Sequence, residues 1–454
     1  MNSNEPRQAG KRPTFGHRGT EGTERSSTRR IRALLGGCLL GGFVSAASAA
    51  EPTASLKDVF REHFAVGTAL NRSHVGGAPF RRTPEQVASE VALVKVQFNQ
   101  VTAENDMKWQ LIHPREGQDG YDFTGADALV DFAIANRMEV VGHTLVWHSQ
   151  TPNWVFAGTN PAPPAPKVVP SAPTNSNPVA GVGTNTPGTN AAGRPRFGPG
   201  FGAGFGRYDG PRASRDELLQ RMRDHIHTVV GRYKGRVKTW DVVNEAIADG
   251  TGTNVLRSSL WTEIVGPDFI AKAFQYAHEA DPDAVLRYND YGLENPVKRR
   301  KLATLIRSLR EAGVPVHAIG SQAHVNVGMT FETMDQTLAE LGSLGLPIHI
   351  TELDVNSAQG GQRTTGADVA ANAATTQGGL VSDADKRLAD AYAGIFRAFL
   401  KHRQSVRMVT LWGVNDAVSW RANGKPLLFD GDNRPKPAFD AVLSTAKDLP
   451  TTSR

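Results

Sequence analysis

The sequence predicts an α/β protein, a single closed (β/α)8 or TIM barrel interrupted by one long low-complexity insertion after its third strand. Three observations carry that reading. From residue 55 onward, short apolar runs alternate with amphipathic runs of helical period, the pattern of repeated βα units. Eight such apolar runs can be counted, and polar residues gather where nearly every one of them ends. A barrel of this kind carries its chemistry on that rim. The chain of 454 residues is long enough for several domains, yet eight βα units fit one barrel with extensions better than several smaller folds.

Residues 1–50 read as a targeting segment rather than as part of the fold. They carry eight basic residues, among them Arg29, Arg30 and Arg32, against three acidic ones, and so hold most of the formal net charge of +6. The rest of the chain balances 43 basic residues against 42 acidic, which argues against a nucleic-acid surface. An apolar run over 31–44 is followed by Ser-Ala-Ala-Ser-Ala-Ala, the small residues that a signal peptidase requires, so cleavage is expected near Ala49 or Ala50 and export follows. The run is too short to cross a bilayer, which takes about 20 residues. Cys38 lies in a loose lipoprotein-like box, but too few apolar residues precede it for lipidation to be the favoured reading. As the only cysteine it also rules out an intrachain disulfide framework.

The barrel proper is expected over 51–450, with strands at 64–70, 98–103, 140–147, 237–244, 284–289, 318–323, 348–353 and 408–414. Ser214 and Glu217 form a capping box ahead of Leu218, Leu219, Met222, Ile226, Val229 and Val230, with Gly231 as the stop. Asn295-Pro296 opens a helix whose Leu302, Leu305, Ile306 and Leu309 recur at helical spacing up to Gly313. Another runs from Ser382 through Leu388, Tyr392, Ile395, Phe396 and Phe399. Residues 158–212 break the alternation. Crowded with Pro, Gly, Ala, Asn and Ser, they cannot bury enough apolar surface to offset their ordering entropy and read as a disordered insertion. Phe197, Phe201, Phe205 and Tyr208 leave room for a role in touching polysaccharide. A smaller biased stretch at 357–379 reads as a mobile loop.

The rim residues are Glu104, Asn105 and Lys108 after strand two, and His143, Trp147 and His148 in or after strand three. Asn244 and Glu245 end strand four, Asn289, Asp290 and Tyr291 end strand five, Gln322 and His324 end strand six, and Glu352 and Asp354 end strand seven. Trp412, Asn415, Asp416 and Trp420 follow strand eight. A carboxylate at one strand end is usually a solvated or salt-bridged group. Convergence of all of these on one rim calls for chemistry. Glu245 and Glu352 suit glycoside hydrolysis, where a separation of about 5 Å marks a retaining enzyme and roughly 6.5–9.5 Å an inverting one. Trp147, Trp412 and Trp420 offer the apolar walls on which sugar rings stack. One carboxyl must be protonated while the other is ionised, and Lys108 with a hydrogen-bonding His324 favours the ionised form nearby. A metal reading of His143, His148 and His324 is disfavoured, because hydrogen bonding explains them without an ion.

Seven motifs then appear in order across about 60–445: TAENDMKW at 102–109, GHTLVWH at 142–148, WDVVNEA at 240–246, YNDY at 288–291, GSQAH at 320–324, TELD at 351–354 and LWGVND at 411–416. In these the chain resembles glycoside hydrolase family 10, the retaining endo-1,4-β-xylanases. The resemblance implies that Glu245 is the acid/base and Glu352 the nucleophile, that Asn244 binds the sugar 2-hydroxyl, and that His324 and Asp354 orient and tune Glu352, with Gln322 alongside. It further implies that Glu104, Asn105, Lys108, His143, Trp147, Trp412 and Trp420 line the glycone subsites, with Asn289 and Tyr291 toward the leaving-group side. The expected substrate is xylan or a xylo-oligosaccharide, with no cofactor, no nucleic acid, no membrane span and a monomeric state. The insertion departs from the family, which has a much shorter connection there. The rival readings are a related barrel β-glycosidase acting on other glucans and a catalytically silent polysaccharide-binding protein.

Overall fold

Eight parallel strands close on themselves in the computed structural model, which describes residues 54–77, 79, 82–160, 208–358 and 381–447. The expected targeting segment 1–50 with Cys38, the body of the insertion (161–207) and the loop residues 359–379 lie outside the described residues. The strands are β1 (Ala65–Leu70), β2 (Gln100–Ala103), β3 (Glu139–Trp147), β4 (Thr239–Asn244), β5 (Val285–Asp290), β6 (Ala318–Ser321), β7 (Ile348–Asn356) and β8 (Val406–Leu411). Each pairs with the next, and β8 pairs with both β7 and β1, so the barrel has no open edge. Parallel strands covered on both faces are buried along their length, which is why they read as apolar runs: every residue of β2 and β4 is buried.

The ring outside consists of α1 (Pro84–Gln97), α2 (Thr124–Ala135), α3 (Arg215–Arg232), α4 (Phe269–Ala280), α5 (Pro296–Glu311), α6 (Phe331–Gly342), α7 (Val381–Lys401) and α8 (Pro437–Thr445). Two helix starts form as the sequence predicts. Ser214 Oγ accepts from the Glu217 amide and Glu217 Oε2 from the Ser214 amide, while Asn295 Oδ1 accepts from the Val297 amide. The stop of α3 differs. The helix runs through Gly231 to Arg232, and the left-handed turn falls instead at Gly235, where φ is 73°.

Several strand ends also differ from expectation, β7 among them, which runs on to Asn356 rather than ending at 353. The sixth strand was expected to continue to residue 323 but stops at Ser321, because Ala323 takes a left-handed φ of 55°. A three-residue strand, His324–Asn326, then pairs with the extended end of β7, His324 opposite Asp354. The eighth strand ends at Leu411 rather than 414, where Gly413 at φ 132° turns the chain. The core is filled by large side chains, among them Trp240, whose ring needs the absence of a Cβ at Gly142: one built there would lie 2.1 Å away. The insertion leaves and returns through a short neck. The short strand Ala157–Asn160 faces Arg212 in an antiparallel bridge, Gly158 N donates to Pro211 O at 3.0 Å, and Ala213 N donates to Phe156 O at 2.8 Å.

A buried histidine pair carries the first prediction. On α3, the His225 ring stacks on Trp109 at 3.7 Å and its Nδ1 lies 3.4 Å from Nδ1 of His113. His113 Nε2 donates to the Gly117 carbonyl at 3.1 Å, so its Nδ1 is the acceptor and His225 the donor. Burial lowers the pKa of both rings, well below the ordinary value for His225, where the neighbouring His113 adds to the effect; at His113 the Gly117 hydrogen bond and the Glu116 charge oppose it. The unfolded chain takes protons at about 6.5 and the folded one resists them, so stability is complete above that pH and falls as pH drops below it. His225→Phe keeps the stack and removes the titration. Urea unfolding at pH 7.5 and pH 5 is expected to show a smaller acid loss in this variant than in wild type; an equal loss in both would exclude His225 as a source.

Candidate active site

Asn244 closes β4, and the next residue turns sharply. Glu245 sits at a left-handed φ of 57°, a conformation that costs a non-glycine residue about 1–3 kcal/mol. Three contacts from β5 hold it there: Glu245 N donates to Asn289 O at 2.9 Å, Ala246 N to the Tyr288 hydroxyl at 3.0 Å, and Ile247 N to Asp290 Oδ2 at 3.3 Å. The Glu245 carboxyl is buried, accepting from Trp147 Nε1 and Gln322 Nε2, both at 2.9 Å. Burial raises its pKa above the ordinary range. The Gln322 hydrogen bond opposes the rise, and the charges of Asp290 and Glu352 add to it.

Glu352 on β7 is equally buried but tuned the other way. Burial pushes its pKa up, yet the His324 hydrogen bond and the nearby charges of His143 and His324 outweigh it, and the net shift is downward. Its Oε1 accepts from Asn289 Nδ2 at 2.9 Å and its Oε2 lies 3.2 Å from His324 Nε2. The other nitrogen of His324 is 3.0 Å from Asp354 Oδ2. Burial works against a charge on His324, but Asp354 and Glu352 together lift its pKa to about 9. Asp354 in turn accepts from Trp420 Nε1 at 2.7 Å and Arg421 Nη1 at 2.9 Å.

A chain of amides links the two carboxyl groups. Asn244 Oδ1 accepts from Asn289 Nδ2 at 3.0 Å and from Gln322 Nε2 at 3.3 Å, so the hydrogens of its own amide are what it can offer to a ligand. The Gln322 side chain therefore serves the Glu245 carboxyl, while its main-chain carbonyl accepts from Glu352 N at 3.1 Å. Asn289, read from the sequence as a substrate contact, has no exposed surface: Thr351 Oγ1 donates to its Oδ1 at 2.7 Å and its Nδ2 joins Asn244 to Glu352. It is a strut between β4 and β7.

At the other side of the rim, Lys108 Nζ donates to Asn105 Oδ1 and Gln150 Oε1, both at 3.0 Å, and lies 5.1 Å from the Trp147 ring centre. Burial lowers the Lys108 pKa, and the charges of Glu352, Glu104 and Glu245 oppose that. Glu104 is raised by burial against the pull of Lys108 and His74. His143 is bound through Nδ1 to Asp241 at 3.0 Å, and its ring stands edge-on to Trp412. Trp147 and Trp412 are largely buried, whereas Trp420 is half-buried and edge-on to His324. Tyr291 belongs to a cluster behind the Glu245 turn, its hydroxyl donating to Asp249 at 2.5 Å and accepting from Arg257 at 2.8 Å, with Lys298 Nζ 3.4 Å over its ring. Asp416 takes no part in the cleft; it pairs with Lys436 at 2.9 Å and accepts from Leu427 N. Gln150, Asp249, Arg257, Lys298 and Arg421 were not singled out from the sequence, since each owes its place to a contact between distant segments.

Two carboxyl groups driven apart in acidity on one barrel rim, beside indole rings, are the working parts of a glycosidase, and the fold and site define that class of enzyme. The model of Glycosyl hydrolase family 10 matches residues 55–169 and 208–445, and the chain belongs to that family. The unmatched interval falls within the stretch expected as an insertion. The chain is 36% identical over 399 residues to an endo-1,4-β-xylanase of Geobacillus stearothermophilus, covering 86% of this chain and 98% of that one. It is 34% identical over 410 residues to a β-1,4-xylanase of Dictyoglomus thermophilum, covering 88% and 94%. Among solved structures, an endoxylanase from a sugarcane soil metagenome aligns with a TM-score of 0.67 at 33% identity, over 87% of this chain and 99% of that one. A variant of an intracellular xylanase of Thermoanaerobacterium saccharolyticum in complex with xylotetraose aligns at 0.65 and 33%, over 86% and 98%.

Proposed function

We propose that the chain hydrolyses internal β-1,4-xylosidic bonds of xylan with retention, with Glu352 as nucleophile and Glu245 as acid and then base. The observation that carries this reading is the opposite tuning of the two buried carboxyl groups. Glu245, kept protonated, donates its proton to the departing glycosidic oxygen while an ionised Glu352 oxygen attacks C1, giving a glycosyl ester of inverted configuration. Glu245, now a carboxylate, takes a proton from water; the hydroxide attacks C1, the ester bond breaks, and Glu352 is restored. His324 stabilises the carboxylate form of Glu352 at both ends of the cycle, and Asn244 donates to the 2-hydroxyl of the sugar being cleaved. Glu104, Asn105, Lys108, His143 and the three indoles hold the glycone. Tyr291 lies toward the leaving group.

In this reading residues 1–50 direct export and are removed, and the mature enzyme acts as a monomer. Among the described residues no helix is long and apolar enough to cross a membrane. The test is hydrolysis of xylan beside carboxymethylcellulose, with product anomers followed by NMR. Short oligomers from xylan with initial β-anomers are the expected result. Cleavage of carboxymethylcellulose alone would move the substrate to glucans, and initial α-anomers would exclude the double displacement.

A further inference from the structure

Below the catalytic carboxylates, the barrel interior holds a guanidinium where an apolar side chain would be the ordinary filler. Arg287 on β5 is 1% exposed. It grips Asp241 of β4 with two N–H groups, Nε to Oδ1 at 2.6 Å and Nη2 to Oδ2 at 3.0 Å. Its Nη1 lies 3.0 Å from Nδ1 of His349 on β7 and 3.9 Å from the Met408 sulfur on β8. A buried ion pair of this kind is weak evidence for stability, because the desolvation of both charges offsets most of their attraction. Its placement suggests another use: the same Asp241 carboxylate holds His143, through Oδ2 and Nδ1 at 3.0 Å.

We propose that Arg287 is a positioning residue for His143: it pins both oxygens of Asp241, so that His143 must donate from Nδ1 and meet the sugar with Nε2. The inference rests on the reading of His143 as a glycone contact given above. The geometry fixes each proton. A guanidinium cannot accept, so His349 Nδ1 accepts from Arg287 and carries no hydrogen. An ionised carboxylate cannot donate, so His143 Nδ1 carries one. Burial works against the charge on Asp241, but Arg287 and the His143 hydrogen bond outweigh it and hold the carboxyl at about 2. Burial and the Arg287 charge keep His349 low, at about 3. The groups facing the His143 ring are Asp241 from β4, Glu352 from β7 and the Trp412 indole after β8; those facing Asp241 are Arg287 and His349. Without Arg287, the Asp241 carboxylate can turn toward His349 as well as His143, and nothing then confines the His143 proton to Nδ1 rather than to the nitrogen meant for the sugar.

The test uses the full chain with 15N-labelled histidine, the His143 signals being assigned by their loss in His143→Gln. In the wild type, His143 is expected to carry a proton on Nδ1; a ring protonated at Nε2 alone would overturn the proposal whatever the variants do. In Arg287→Gln, which keeps one donor group and most of the volume, the His143 proton should be shared between Nδ1 and Nε2. Its kcat/KM on xylotetraose should fall about tenfold, and Arg287→Lys should recover most of both changes. A folded Arg287→Gln whose His143 proton position matches the wild type would assign Arg287 a structural role only. Should wild type fail to cut xylan, the proposed function falls while the NMR result still decides the Arg287–His143 link.

Discussion

Glu352→Ala is expected to abolish xylan hydrolysis, lowering kcat by at least about 10⁴-fold, while the protein folds and still binds xylo-oligosaccharide. The size follows from the role: without the carboxylate there is no covalent intermediate, and water is not held on that face of C1. The more telling result comes with added azide. An anion that enters the space left by the carboxylate attacks an activated aryl xylobioside from the α face, so the product is an α-glycosyl azide. A residual rate close to wild type, or a β-azide, would remove Glu352 from the nucleophile's place.

Glu245→Ala is expected to behave differently according to the leaving group. On xylan, whose leaving sugar needs a proton, kcat/KM should fall by about 10²–10⁴, the range of a general acid. On an aryl xylobioside with a strongly acidic phenol the first step needs no proton, so the glycosyl ester should form quickly and accumulate, visible as a burst and as added mass on the protein. Azide should then restore turnover and yield the β-glycosyl azide. The pH profile carries the sign of each role. Glu352 works ionised, so activity falls as pH drops through its lowered pKa; Glu245 works protonated, so activity falls as pH rises through its raised one. The alkaline limb should vanish in Glu245→Ala. Equal losses on both leaving groups with the limb intact would take the proton-donor role away from Glu245.

Much of this was legible in the sequence because it is written in local terms. A capping box needs only Ser214 and Glu217, and a fully covered parallel strand needs only an apolar run. The rim residues announce themselves by following such runs. What stayed hidden depends on partners far apart in the chain or on one backbone angle. Nothing around Glu245 announces a left-handed φ, which Tyr288 and Asp290 hold from the next strand. Asn289 resembles a ligand contact until Thr351 and Glu352 are seen to occupy its amide. Arg287 reads as an ordinary strand residue, and only the barrel sets it on Asp241 across 46 positions.

The neck at Ala157 and Arg212 bears on how freely this chain can change length. Its two sides are fastened to each other by backbone hydrogen bonds, and Arg221 of α3 fastens the outgoing side, donating to the carbonyls of Trp154, Val155 and Ala157. Whatever lies between those pins closes a loop whose ends are already fixed, and each doubling of such a loop costs only about 0.6 kcal/mol. Tandem duplication, contraction or replacement of that interval by a foreign module is thus nearly neutral for the barrel. The neck thus fixes where any such interval departs and rejoins, at Ala157 and Arg212, independently of its length.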